Sequence, residues 1–299
     1  MSIKPWIAAA RPKTLPLAVS NIFIGSAIAF SEKKFNLVVF ILGLTTAILL
    51  QILSNYANDY GDFIKKADEN RTSKYERALT SGRITPSQMR LMLIILSSFT
   101  FVTGIILIIM GLKGSGMAVY LFFLLVGLLS IAAALTYTMG KKPYGYAGLG
   151  DFSVFIFFGL VAVCGIYILH TKQWQWPVLL PASAFGLLSM GVLNINNIRD
   201  EASDRLAGKS TLVVKMGVQK AKIYHSIIVV TAIILAVCFT WIHYQTAFQW
   251  MFLLAVPLFF RNIYRINTSK STDVYDEELK NLSLTILLFS ITFGLGLAI

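Results

Sequence analysis

Long apolar stretches recur along this chain, separated by shorter segments that carry most of its polar residues. A helix that crosses a bilayer needs roughly 20 predominantly apolar residues. The apolar runs are continuous rather than alternating, which predicts helices and not strands. Nine membrane-spanning helices are therefore expected, at 15–31, 36–57, 90–111, 117–138, 150–169, 177–197, 224–243, 248–265 and 281–299.

Composition supports this interpretation. Hydrophobic residues make up 56% of the chain and charged residues 13%, whereas a typical soluble domain has about 25% charged residues. The first apolar run continues into a full span, so a cleavable signal peptide is not expected. We expect an all-α fold: a polytopic bundle of about nine transmembrane helices, forming a single domain over residues 1–299, with catalytic loops in the cytoplasm.

Basic residues are distributed unevenly between the two ends of these spans. Four of the 26 lysines and arginines lie in the loops after odd-numbered spans: Lys33, Lys34, Lys113 and Lys172. The other 22 are associated with the opposite side, which predicts that the N-terminus and the loops 58–89 and 198–223 are cytoplasmic. The net charge of +12 is then explained by topology in a lipid bilayer, and no nucleic-acid partner is expected.

Acidic residues follow the same side, since Glu32 alone of the 14 acids falls on the other face. Topology rules give acids little weight, so their placement indicates a function. Two clusters extend apolar helices toward this side. The first, at the end of span two, contains Asn55, Asn58, Asp59 and Asp62. The second, at the end of span six, contains Asn196, Asp200 and Asp204. Spacings of three and four residues put each cluster on one helical face.

Carboxylate and amide oxygens of this kind suit Mg²⁺, which keeps some waters and takes further ligands from substrate phosphates. Two such clusters could hold metal ions on either side of a diphosphate. Arginine and lysine suit phosphate oxygens. Basic residues close by in sequence are Arg71, Lys74, Arg77, Arg83, Lys141, Arg199, Arg205 and Lys209. This combination favours chemistry in which diphosphate is the leaving group.

Other acids have simpler interpretations. Four of them are typical of a solvated charged surface: Asp68, Glu69, Glu76 and Glu201. Asp151 opens span five, where an aspartate favours the N-cap position, with catalysis as the alternative. The two clusters fit solvation poorly, because ionisable groups at membrane depth are usually functional.

The clusters resemble the paired motifs of the UbiA superfamily of intramembrane aromatic prenyltransferases. The segment 58–62 (Asn-Asp-Tyr-Gly-Asp) matches the first motif, and Asp200 with Asp204 matches the second. A family Tyr-x-x-x-Lys motif is matched by Tyr137 and Lys141.

The match also shows departures. An Arg-Pro-Leu-x-x-Gly element is matched in part by Arg77, Leu79 and Gly82, with Ala78 in place of the proline. The third acid of the first motif is replaced by Lys66, and Asp68 is the nearest acid.

Within the superfamily, the chain resembles the enzymes that prenylate 1,4-dihydroxy-2-naphthoate in menaquinone synthesis. The resemblance rests on the segments 10–16, 58–62, 136–140, 142–146, 148–151, 193–200 and 208–214. It implies a multi-pass protein of a bacterial inner membrane. The implied reaction converts a polyprenyl diphosphate and 1,4-dihydroxy-2-naphthoate into demethylmenaquinone, carbon dioxide and diphosphate.

The resemblance also implies roles for individual residues. The metal ligands would be Asn58, Asp59, Asp62, Asp68, Asn196, Asp200 and Asp204. The diphosphate ligands would be Arg77, Lys141, Arg205 and Lys209. The residues of the chemical step would be Tyr137, Lys141, Asp59 and Asp200. Arg11 and Lys13 would either bind the naphthoate carboxylate or serve only the topology.

Two alternatives stay open from the sequence. A 4-hydroxybenzoate or other aromatic polyprenyltransferase would use the same metal site with a different acceptor pocket. A secondary transporter is the more distant alternative, because the two clusters hint at an internal repeat. Transporter sites lie near the membrane midplane in broken helices, whereas these clusters are expected at the cytoplasmic ends of the spans.

Overall fold

A computed structural model describes residues 3–67 and 77–299, and in these ranges the regular structure is helical. The α-helices are α1 (Lys4–Ala9), α2 (Leu15–Ser31), α3 (Leu37–Ile64), α4 (Pro86–Gly111), α5 (Met117–Thr136), α6 (Gly150–Val154), α7 (Gly165–Thr171), α8 (Leu179–Leu206), α9 (Leu212–Met216), α10 (Val218–Ile242), α11 (Val256–Thr268) and α12 (Thr272–Ala298). A π-helix, Phe155–Cys164, joins α6 to α7. Short 3₁₀ segments are Pro12–Thr14, Tyr144–Ala147, Trp176–Val178 and Ala247–Ala255.

Eight segments within the described ranges are long and apolar enough to cross a membrane. They are Lys4–Ser31, Leu37–Ile64, Pro86–Gly111, Met117–Thr136, Gly150–Thr171, Trp176–Leu206, Val218–Ile242 and Thr272–Ala298. These confirm the all-helical membrane fold. The ninth predicted span, 248–265, is divided between the 3₁₀ segment Ala247–Ala255 and α11. Pro257 lies in the first turn of α11, where its missing backbone N–H is tolerated. The two segments follow one another directly, so the chain stays helical from Ala247 to Thr268.

Helix α8 lies at the centre of the bundle and packs against α10, α12 and the π-helix. A group of phenylalanines fills the space between α8, the 247–255 segment and α12: Phe185, Phe252, Phe259, Phe289 and Phe293. Their ring centroids are 4.8–5.9 Å apart, within the range of favourable aromatic contacts. Helix α5, in contrast, buries only Phe123, as expected for a helix that faces lipid.

The π-helix approaches α8 very closely at a pair of glycines. A Cβ added at Gly159 would lie 2.7 Å from the Cα of Gly186. Small residues allow this kind of contact between helices in a membrane. π-Helices are rare and occur mainly at functional sites. Apolar periodicity does not predict the one in span five.

Both acidic clusters lie on α-helices that continue beyond the ends of the predicted spans. Helix α3 extends to Ile64 and α8 to Leu206, so Asp59, Asp62, Asp200 and Asp204 occupy helical positions. Their spacing of three and four residues then puts each cluster on one helical face.

The segment between α5 and α6 folds back over the ends of α3 and α8. Tyr146 O accepts a hydrogen bond from Ser210 N at 2.8 Å, and Ala147 O accepts one from Lys215 Nζ at 2.7 Å. Gly148 has φ +85°, a conformation that glycine adopts without the Cβ penalty. This arrangement fixes Tyr146 beside the acidic clusters.

One expectation about span five is wrong. Asp151 does not cap α6: the N-cap residue is Leu149, and Asp151 lies inside the first turn. Its buried carboxylate accepts a hydrogen bond from Tyr224 OH on α10 at 3.2 Å. A tertiary partner has therefore replaced the local cap. Its position in the first turn still benefits from the positive end of the helix dipole.

Candidate active site

Asp62 is the most densely contacted acid of the first cluster. It is buried at the end of α3, with 2% of the residue exposed. Arg77 Nη1 donates to its Oδ2 at 2.5 Å, and Tyr146 OH donates to its Oδ1 at 2.5 Å. Lys209 Nζ lies 3.1 Å from the same Oδ1. Charge-assisted hydrogen bonds of this kind hold a carboxylate in one orientation.

Asp59 lies one helical turn before Asp62 and is 1% exposed. Arg11 Nη2 donates to its Oδ1 at 2.9 Å, and Arg77 Nη1 lies 3.7 Å from the same oxygen. Its second oxygen, Oδ2, is buried without a hydrogen-bond partner among the described groups. A buried carboxylate oxygen without a donor is costly, so this atom is suited to receiving a cation.

The second cluster is held mainly by Arg199. Its guanidinium bonds both oxygens of Asp200, at 2.8 and 2.7 Å. It also donates to Asn196 Oδ1 at 2.8 Å and to Asp276 Oδ1 on α12 at 2.7 Å. Asp276 in turn pairs with Lys13. One arginine therefore ties the motif on α8 to the last helix and to the N-terminal segment.

Lys209 joins the two clusters. Its Nζ lies 3.1 Å from Asp62 on α3 and 3.1 Å from Asp204 on α8. It also lies 4.8 Å from the centroid of the Tyr146 ring, within cation–π range. The two motifs, remote in sequence, therefore meet through a shared cation, as their paired occurrence suggested.

Within the described ranges, the ion pairs of the two acidic clusters form two groups. The first contains Asp59, Asp62 and Asp204 with Arg11, Arg77 and Lys209. The second contains Asp200 and Asp276 with Lys13 and Arg199. Each of these five carboxylates thus has a cationic partner, which offsets the cost of burial for those that are buried.

A cavity of about 820 Å³ begins at these clusters and continues between the helices. Its polar end is lined by Asn58, Asp62, Arg77, Asn196, Asp200, Asp204 and Lys209. Further along, the lining is almost entirely aliphatic and aromatic, and it includes Phe101, Phe123, Phe157, Leu169 and Trp174. One compartment can therefore accommodate a charged head group and a long apolar chain.

Tyr137 lies in the wall of this cavity, at the end of α5. Its ring packs edge-on against Tyr144, with centroids 5.3 Å apart. Burial, followed by the negative charge of Asp151, raises the pKa of the Tyr137 hydroxyl well above its ordinary value. The hydroxyl therefore stays protonated at physiological pH and can act as a hydrogen-bond donor.

Two glycines make room for the Tyr137 ring. A Cβ at Gly150 would lie 2.7 Å from the Tyr137 hydroxyl oxygen, and one at Gly145 would lie 2.6 Å from the Tyr137 carbonyl oxygen. The helix α3 comes equally close at Gly61, where a Cβ would lie 2.6 Å from Thr138 Oγ1. The close contacts at these three glycines therefore fix the position of Tyr137 relative to Asp62.

The remaining predicted residues fall into three groups. Asn58 receives a hydrogen bond from Thr138 Oγ1 at 3.3 Å and lines the cavity, as does Arg11. Lys141 and Arg205 are exposed and do not line the cavity; Arg205 bonds Glu201 at 2.9 Å. Asp68 lies outside the described residues. The roles of Lys141, Arg205 and Asp68 stay predictions without a supporting contact.

Two members of the site were not predicted. Asp276 bonds Arg199 and Lys13, and Tyr146 bonds Asp62. The signal for Asp276 was its place with the other acids on the side of the two motifs. Tyr146 lies in a segment that carried the family resemblance, although the resemblance assigned it no role.

The donor set fits Mg²⁺ in chemical type. It consists of carboxylate and amide oxygens, and Asp59 Oδ2 is unpartnered. No three acidic, histidine or cysteine side chains of residues 3–67 and 77–299 converge on one point. Arginine and lysine hold the carboxylates instead, so the acids would have to exchange partners for a metal ion to bind.

The sequence profile described as "UbiA prenyltransferase family" matches residues 18–291. A Haemophilus influenzae protein named 1,4-dihydroxy-2-naphthoate octaprenyltransferase is 41% identical over 302 residues, covering 99% of this chain and 96% of that protein. The Escherichia coli protein of the same name is 43% identical over 253 residues, covering 85% of this chain and 82% of that protein.

The fold is shared with a solved structure. A UbiA homologue from Archaeoglobus fulgidus, bound to DMAPP and Mg²⁺, superposes with a TM-score of 0.68 at 14% identity. The superposition covers 98% of each chain. At this level of identity the likeness concerns the fold.

Proposed function

The chain belongs to the UbiA prenyltransferase family, and we propose that it transfers a polyprenyl group from a polyprenyl diphosphate to 1,4-dihydroxy-2-naphthoate. Carbon dioxide and diphosphate are released, and the quinone skeleton is that of demethylmenaquinone. The observation that carries the proposal is the meeting of two acidic motifs at the polar end of a cavity that is otherwise apolar. The names of the bacterial relatives support the naphthoate as the acceptor.

The polar end of the cavity suits a diphosphate. Mg²⁺, held by Asp59, Asp62, Asp200 and Asp204 with Asn58 and Asn196, would offset the negative charge that develops on the departing diphosphate. Arg77 and Lys209 line the same end and supply donors for phosphate oxygens once the acids release them. Positive charge is thus placed where negative charge develops.

The chemistry breaks the bond between the allylic carbon and oxygen, and the electron pair leaves with diphosphate. The ring carbon that bears the carboxylate then forms a carbon–carbon bond to the allylic carbon. Loss of carbon dioxide returns its bonding pair to the ring, so the immediate product is the quinol form. The aliphatic and aromatic cavity wall keeps water away from the cation. Tyr137 stands at this wall with a protonated hydroxyl.

The position of the acids supports an enzyme over a transporter. They lie at the ends of α3 and α8, whereas transporter sites lie near the membrane midplane in broken helices. We further propose a location in a bacterial inner membrane with the acidic clusters on the cytoplasmic side, because the lysines and arginines concentrate there.

An isotope experiment tests the proposal. Purified protein is given a polyprenyl diphosphate, Mg²⁺ and 1,4-dihydroxy-2-naphthoate labelled in the carboxylate. We expect the label to appear as carbon dioxide in proportion to the prenylated lipid, and expect a chelator to stop both. Label that remains in the prenylated lipid would contradict the decarboxylating step. Transfer to 4-hydroxybenzoate but not to the naphthoate would move the assignment to the benzoate enzymes.

A further inference from the structure

Three polar side chains form a small group next to the acidic clusters, on the apolar side of the cavity. Thr14 stands immediately before α2, and Gln51 and Asn55 occupy successive turns of α3. Gln51 Nε2 lies 3.4 Å and Asn55 Nδ2 3.5 Å from Thr14 Oγ1. All three line the cavity. Gln51 lies two turns from Asp59, about 12 Å along the helix axis.

The direction of each hydrogen bond in this group is determined by Thr14. Its hydroxyl donates to the carbonyl oxygen of Arg11 at 2.9 Å. A hydroxyl has one proton, so Thr14 Oγ1 can only accept from Gln51 and Asn55. Asn55 Nδ2 also donates to Ala10 O at 2.8 Å. Both amides must therefore turn their NH₂ groups toward Thr14.

This orientation leaves the carbonyl oxygen of Gln51 without a donor. Oε1 is buried and has no hydrogen-bond partner within the described structure, and the residue is 8% exposed. A buried amide oxygen that is left unpaired costs about 1–3 kcal/mol. Such an atom in a cavity wall is suited to a ligand that brings a hydrogen-bond donor.

The groups that the reaction brings into the cavity differ in this respect. A diphosphate and a carboxylate offer only acceptors at neutral pH, and an isoprenoid chain has neither donors nor acceptors. Ring hydroxyls are the remaining donors. The 1-hydroxyl of the naphthoate is adjacent to the carboxylate and bonds it internally, which leaves the 4-hydroxyl free to donate.

We propose that Gln51 Oε1 accepts a hydrogen bond from the 4-hydroxyl of the aromatic acceptor and selects acceptors that carry this hydroxyl. The inference rests on the proposed function, because it specifies how that function's acceptor is held. Accepting this hydrogen bond also raises the electron density of the ring, which favours attack on the allylic cation. Arg11, whose carbonyl bonds Thr14 and whose guanidinium bonds Asp59, connects this group to the acidic clusters.

Equilibrium binding tests the inference without dependence on ring reactivity. The naphthoate's own fluorescence reports binding of 1,4-dihydroxy-2-naphthoate and of 1-hydroxy-2-naphthoate, which lacks the 4-hydroxyl. Wild-type protein should bind the dihydroxy compound about tenfold more tightly, the scale of one hydrogen bond to a buried group. In Gln51→Met, which keeps the length of the side chain without its acceptor, the two affinities should become equal.

A second variant and the wild-type measurement keep the test decisive. Gln51→Glu retains an acceptor oxygen and should retain a preference for the dihydroxy compound. Equal binding of both compounds by the wild-type protein would overturn the inference, whatever the variants do. So would a Gln51→Met variant that keeps the preference for the dihydroxy compound, because the preference would then not come from the Gln51 oxygen. Failure of wild-type protein to prenylate the naphthoate would instead contradict the proposed function.

Discussion

Replacement of Gly150 by alanine is a minimal change that tests how Tyr137 is placed. The added Cβ would lie 2.7 Å from the Tyr137 hydroxyl oxygen and 3.4 Å from both Tyr137 Cε2 and Leu193 Cδ2. An ordinary contact begins at 3.4 Å. The steric clash is therefore mainly between the new Cβ and the Tyr137 hydroxyl. The ring must move away from Gly150 by about 0.7 Å to relieve it.

A shift of this size should lower the catalytic rate strongly and the folding stability moderately. A displacement near 1 Å at a reacting centre can cost about a hundredfold in rate, so we expect kcat to fall by about 10- to 100-fold. This corresponds to about 1.4–2.7 kcal/mol of activation free energy. Overpacking itself should cost about 1–3 kcal/mol of folding stability, which a lower Tm would report.

The assay measures kcat and the KM of each substrate in detergent or lipid, with Tm as a check on folding. Gly116→Ala is the matched control, because Gly116 has φ −72° and a Cβ there would meet nothing within 4 Å. Tyr137→Phe removes the clashing oxygen, so Gly150→Ala should cost much less in that background. Wild-type kcat for Gly150→Ala, or full additivity with Tyr137→Phe, would refute the placement of Tyr137 by Gly150.

Three further outcomes are expected. Asp62→Asn should lower kcat about a hundredfold, while the exposed Asp273→Asn should not; near-normal turnover of Asp62→Asn at saturating Mg²⁺ would contradict the metal site. An unreactive polyprenyl thiolodiphosphate should bind at least about tenfold more tightly with Mg²⁺ than with chelator, and equal affinities would exclude coupled binding. With the native cysteines removed, a cysteine at Ser115 should react with an impermeant thiol reagent in intact cells and one at Lys142 should not; the reverse pattern would invert the orientation.

The parts of the site that could be predicted from sequence depend on local geometry. Asp59 and Asp62, or Asp200 and Asp204, share a helical face because of their spacing, and the apolar runs before them require helices in lipid. Their meeting across the bundle was inferred from the motif pair, and the contact through Lys209 supports it. Helix ends were less accurate, and the change from 3₁₀ to α-helix next to Pro257 lies within an apolar run that hydropathy treats as uniform.

The parts that escaped prediction depend on tertiary contacts. Asp151 was expected to cap its own helix, but Tyr224, on a helix far along the chain, provides its partner. Asp276 enters the site because α12 brings it to Arg199. The orientation of the Gln51 amide is set by Thr14, whose own proton is committed to a backbone carbonyl. None of these pairings leaves a periodic signal in the sequence.

The charge balance of the site explains why the acids accompany the basic residues on one side. Asp62 is bonded by Arg77 and Lys209, which are also the cations best placed for a diphosphate. If they turned to the phosphate alone, Asp62 would remain buried and unpaired, and breaking a buried ion pair costs about 3–5 kcal/mol. In the proposed reaction, a divalent ion bound to the acids would replace these cations and free them for the diphosphate. We therefore expect binding of the metal and binding of the diphosphate to be coupled, because the acids and the cations of the site depend on each other.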